Sequence, residues 1–164
     1  MENAKNTFYV TLRNRLATIN PDRTMVVRGV IRPGILVEEN EQVSALQPAD
    51  VFVLRWSKLA AETELPETMA AMSCEIAYAT DGNADNAGMD RGRMLTKMDA
   101  ELRQMLNPQH ALKTNYASTP AVPMLTQVFW SDAVFDAVKR PAESLERLER
   151  KATVTVYSLE EQGE

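Results

Sequence analysis

Residues 74–106 read CEIAYATDGNADNAGMDRGRMLTKMDAELRQML, and the fold is decided there. Cys74, Ile76 and Tyr78 alternate with Glu75 and Ala77, which is the period of a strand with one face in water. Beyond a loop of Asp, Asn and Gly the period changes. Met94, Leu95, Met98, Leu102, Met105 and Leu106 form one stripe at helical spacing, Lys97, Glu101 and Arg103 fall opposite, and Asn107-Pro108 ends the segment. A strand passing into an amphipathic helix through a polar connector points to an α+β domain.

Working outward, residues 4–19 place Phe8, Leu12, Leu16 and Ile19 on one side of a helix, which INPDR stops. RTMVVRGVIRPGILVEE reads as a strand with Met25, Val27 and Ile31 on one side and Arg28 and Arg32 on the other. Gly29 suggests a bulge or a close backbone approach in it, and Pro33-Gly34 a turn or an edge. DVFVLRWSKL is a second strand, with Phe52, Leu54 and Trp56 on one face, and AMSCEIAYAT a third. Two long irregular loops are expected at 58–70 and 107–127. VFWSDAVFDAV reads as a short strand leading to a helical turn, PAESLERLERK as another short helix, ATVTVYSL as a last strand and 160–164 as a solvated tail. The expectation is a single domain over 1–164 with an ordered core of about 5–159. Its sheet is mostly antiparallel, with room for a mixed pair, and two main helices pack on one face.

Composition narrows the chemistry. A chain of 164 residues with 45% hydrophobic and 25% charged residues can bury a core without staples. The formal charge of −5 disfavours the counterion release that drives nucleic-acid binding. No apolar run reaches the roughly 20 residues of a membrane span, and MENAKNTFYVTLRNRL lacks the pattern of a secretory leader, so a cytoplasmic protein is expected. One cysteine allows neither an internal disulfide nor a thiolate zinc cluster.

Each chemical motif has a plainer counterpart. Asp81, Asn83 and Asp85 alternate like the start of a calcium loop, but positions six and twelve hold Asn86 and Gly92 where the motif needs Gly and Glu. Gly82, Gly88 and Gly92 are too widely spaced for a phosphate cradle; Gly82 suits a turn, and Asp90 or a neighbour a helix cap. Cys74 and His110 are the only thiol and imidazole, which keeps a small Cys/His hydrolase or transferase as an alternative. Cys74 is nevertheless assigned to the core face, and His110 to a proline-bounded loop. Strand addition at an edge near Pro33 and Gly34 is a third possibility. No catalytic residue, cofactor or metal is assigned. Trp56, Tyr116, Phe129 and Trp130 are candidate contact anchors wherever they are exposed.

NTFYVTLRNRLATI, the passage from CEIAYAT to DRGRMLTKMDAEL, and the later VFWSD resemble the tail terminator proteins of long-tailed phages and phage-derived tail particles, over roughly residues 5–135. The resemblance implies a compact α+β subunit without a cofactor that forms a ring, typically a hexamer. Such a ring caps the tail-tube protein and offers a surface to the head–tail connector protein. It also implies assembly in the cytoplasm and residence in a virion tail or related particle. Arg91 and Arg93 would then make subunit contacts; their plainer role is pairing with nearby carboxylates, which contributes about 0–1 kcal/mol.

Overall fold

The computed structural model describes residues 1–41, 47–62, 69–142 and 146–159, with the backbone alone at 61 and 62. Helix α1 (Glu2–Ile19) is followed by β1 (Thr24–Val27), β2 (Val30–Pro33), β3 (Ile35–Val37), β4 (Phe52–Glu62) and β5 (Met69–Thr80). Helix α2 (Arg91–Met105) then leads to β6 (His110–Asn115), β7 (Val122–Trp130), β8 (Val134–Phe135) and β9 (Leu148–Leu159). The main sheet runs β3-β4-β5-β9-β7-β6, with β8 also on β9. Every described pair in it is antiparallel except β3 with β4, so the architecture is the expected α+β domain with a mixed edge.

Both helices lie on one face of the sheet, called inner below. Phe8, Leu12 and Leu16 of α1 and Leu95, Met98, Leu102 and Met105 of α2 meet Phe52, Leu54, Met72, Cys74, Ile76, Tyr78, Val154 and Val156 in one buried cluster. Full burial of such a side chain contributes about 1.5–3 kcal/mol. Phe8 fixes the crossing of α1, with its ring edge-on to Trp56 and Trp130 at 5.9 and 5.2 Å between centroids. Where α1 meets β6, the buried Thr7 hydroxyl accepts from the Thr114 N–H at 2.9 Å.

Several expected boundaries are corrected. The alternation over 24–33 is not one strand with a bulge but a separate two-stranded hairpin, in which Val27 pairs with Val30 across Arg28 and Gly29. Both turn residues have positive φ, 51° and 80°, the two-residue turn that follows strand twist. Arg-Gly is a weaker signal for it than Asn-Gly. Because the chain folds back, Ile31 pairs with Val26 and both point to solvent.

The expected loop at 58–70 contains strand on both sides: β4 continues past a bulge between Trp56 and Lys58 to Glu62, and β5 begins at Met69. Residues 63–68 lie outside the described residues. The expected loop at 107–127 is largely the hairpin β6–β7. Its prolines disguised it, yet Pro120 sits in the turn and Pro123 near the start of β7, away from the described Val128–Trp130 pairing with β9.

No helical turn follows VFW among the described residues; Val134 and Phe135 pair with Thr153 and Ala152. Of the short helix expected in PAESLERLERK, residues 143–145 lie outside the described set, and Leu148–Lys151 belong to β9. Pairing with β5 along all twelve residues of β9 overrides local helical preference there. The tail at 160–164 is also outside the described residues.

Candidate functional site

Chemistry-bearing groups come first. Cys74 is fully buried on the inner face, and burial raises its thiol pKa well above the ordinary value, so it is a neutral core thiol. His110 is exposed on the outer face: it pairs in register with Phe129, which pairs with Tyr157, on the opposite side of β9 from Val154, the partner of Cys74. The sheet stands between thiol and imidazole. His110 also lies on a strand rather than in the loop expected from its prolines.

The polar connector 81–90 is tied up within the fold. Asp81 receives two bonds from Arg147, Nε to Oδ1 at 2.7 Å and Nη2 to Oδ2 at 2.9 Å, and Arg147 also donates to the Gln47 carbonyl. Those bonds hold the Asp81 carboxyl below its usual pKa. Asn83 Oδ1 accepts from the Asp85 N–H. Asp90 occupies the N-cap position of α2 but does not cap it. Its carboxylate turns back to the Asn83 N–H at 2.9 Å, a bond that lowers its pKa. Gly82 and Gly88 have positive φ, and a Cβ on Gly82 would come within 2.8 Å of Gly88 Cα. Among the described residues no group of three His, Cys, Asp or Glu side chains is arranged to hold a metal ion.

Two ionic clusters, one buried and one partly buried, fasten α2. Arg23 Nε donates to Glu101 Oε2 at 2.8 Å and Asn20 Nδ2 to Oε1 at 2.7 Å, joining the end of α1 to α2. Glu101 is therefore 6% exposed, contrary to the solvent-facing position expected from periodicity. The Tyr78 hydroxyl and Arg150 Nη1 each donate to Asp99 at 2.5 Å, which ties α2 to β5 and β9. Burial first, then the bond to Asp99, raises the Tyr78 pKa.

The candidate contact residues are dispersed. Arg91 is half-buried in the first turn of α2, with Nε donating to the Gly88 carbonyl at 2.7 Å; Arg93 is exposed and, two positions on, faces another direction. Tyr116 is 38% exposed just past β6, at the end of the sheet opposite to α2's start, so it is not brought together with the arginines. Trp130 is buried, with its indole N–H on the Leu106 carbonyl, and Trp56 is packed against the core. Phe129 is 51% exposed.

Exposed apolar side chains instead gather in two places. One is the hairpin β1–β2, where Val26, Val30 and Ile31 are 65%, 65% and 72% exposed. Only Met25 and Val27 pack inward, on Leu36, Val51 and Val53, and a cleft of about 640 Å³ lies against the hairpin. The other is the uncovered outer face around β6–β9, with Leu112, Phe129, Val134 and Tyr157 and, nearby, Leu125 and Val138. Alternation revealed which side of β5 is buried. It gave no signal that both sides of 24–33 carry apolar residues outside the main core.

No protein-family model and no curated protein matches the chain. No helix among the described residues is long and apolar enough to cross a membrane.

Proposed function

We propose that this protein is a structural assembly subunit that works by binding copies of itself and other proteins, rather than by chemistry. The observation that carries the proposal is the set of large apolar side chains exposed on the hairpin and on the outer sheet face. Contiguous exposed apolar patches on a well-packed domain mark interaction sites. Separation of Cys74 and His110 by the sheet adds support, since a nucleophile and its base must be within hydrogen-bond reach.

The resemblance to tail terminators supplies the concrete form: a ring, typically of six copies, that caps the tail-tube protein, stops its growth and receives the head–tail connector protein. Within this proposal the subunit needs no cofactor and no sequence-specific grip on DNA, and a net charge of −5 suits a ring through which DNA passes without adhering. Electron microscopy of tail-tube protein polymerised with and without this chain tests it. Rings on tube ends and tubes of restricted length are expected; tubes of unchanged length with bare ends would contradict the terminator role.

A further inference from the structure

We infer that copies of this chain associate head to tail, the hairpin 24–33 of one copy docking on the strip 129–138 of the next. This deepens the assembly reading above and rests on it. The hairpin offers Val26 and Ile31 side by side on its solvent face, with Val30 exposed near the turn on the face it shares with Val27 and Arg28 exposed at the tip; Arg32, the other charge in 24–33, is engaged by Glu41 and Tyr9. The strip offers Phe129, Val134 and Val138, at 51%, 68% and 43% exposure, interleaved with the exposed carboxylates Asp132 and Asp136. It contains no cation, and Lys139 and Arg140 bound it. Lys151, cross-strand from Asp136, is engaged by Glu75 at 3.4 Å, so the hairpin face joins Val26 and Ile31 to the cation Arg28 and the strip joins Phe129 and Val134 to the carboxylates Asp132 and Asp136.

Placement specifies the kind of contact. The hairpin sits beside the β3–β4 edge, over Leu36, Val51 and Val53, whereas β8 and the end of β7 flank β9 on its far side. Across β3-β4-β5-β9-β8 the patches are on the order of 20 Å apart, so one copy cannot close them on each other. Pairing hairpin with hairpin brings together two patches that each carry a cation, and pairing strip with strip two that each carry carboxylates; neither offers the opposite charges that hairpin on strip brings together. Hairpin on strip satisfies both patches and is heterologous, repeating from copy to copy until it closes as a ring or continues as a filament. An isolated two-stranded hairpin is marginal in water, and the neighbour's surface supplies the cover this one lacks.

The test uses the full chain with Ile31→Asp, which spoils the hairpin, and Val134→Asp, which spoils the strip. Both sites are exposed, so circular dichroism and thermal melting should match the wild type. By sedimentation velocity each variant alone should be monomeric where the wild type is multimeric, with at least a tenfold weaker association. Mixed one to one, they should give a dimer and nothing larger, because the mixture holds one intact hairpin and one intact strip per pair. Arg28→Glu should weaken assembly, and Asp132→Lys with Asp136→Lys in the same chain should restore it. Wild-type-like assembly of both variants, or a mixture that stays monomeric, overturns this contact while leaving an assembly role standing. A wild type that is monomeric throughout overturns both. Multimers that follow these rules yet never cap tubes overturn the terminator role alone.

Discussion

The two faces of the sheet follow different rules. On the inner face Met72, Cys74, Ile76 and Tyr78 are wholly buried, and the polar groups admitted there, Glu101, Arg23 and Asp99, have matched partners at 2.5–2.8 Å. On the outer face and the hairpin, side chains as large as Phe129, Tyr157 and Ile31 stand in water with no layer over them. Stability accounts for the first arrangement. It does not account for the second, since apolar surface left in water contributes nothing to folding. On the proposed reading the inner face serves stability and the outer surfaces association, and the two should be separable by mutation.

The largest break should come from Glu101→Ala, which leaves Arg23 buried without its carboxylate. A loss of about 3–5 kcal/mol is expected in urea unfolding, and one under about 1 kcal/mol would show that the pair is not held as described. Leu54→Ala, a cavity in the inner cluster, should cost about 2–5 kcal/mol by the same measurement.

Tyr78→Phe removes one of the two bonds to Asp99 and should cost about 1.5–3 kcal/mol. It also bears on pH. The folded pKa of Tyr78 is raised, so the folded state keeps its proton longer. The contribution is therefore complete below the unfolded value near 10 and is lost as pH rises above it. The variant should flatten the alkaline fall in melting temperature; an unchanged fall would remove Tyr78 as its source.

Asp81→Asn should have a smaller effect, below about 1 kcal/mol, because Asp81 is half exposed. Its folded pKa is lowered, so its contribution is present above the unfolded value near 3.8 and fades as pH falls through the folded one. The acid limb of a stability profile should become shallower in the variant. Smallest of all, Ile31→Ser on the hairpin should shift unfolding by no more than about 0.5 kcal/mol, while weakening association. A large destabilisation would move the hairpin into the folding core and erase the contrast.

Much of the inner face was legible in the sequence. Phe8, Leu12 and Leu16, the α2 stripe and the alternation of β5 follow periods set by backbone geometry, and all are buried as read except Met94, which is half-buried at the start of the stripe. Glu101 was misplaced because period alone cannot see Arg23, which reaches it from 78 positions away. The β6–β7 hairpin and the early start of β9 were missed for a related reason: prolines and charged residues argue locally against strand, and long-range pairing decides. For the candidate contacts, the sequence supplied Arg91, Arg93 and Tyr116, which the fold separates. The surfaces at 24–33 and 129–138 emerge only after the turn at Arg28-Gly29 shows which valines are left outside.

Sedimentation velocity of the wild-type chain, followed from low to high micromolar concentration, tests most directly whether the outer surfaces exist for association. A rise from the coefficient of a single chain to that of a defined multi-subunit species is predicted. A single-chain coefficient that holds unchanged over the whole range would contradict the account.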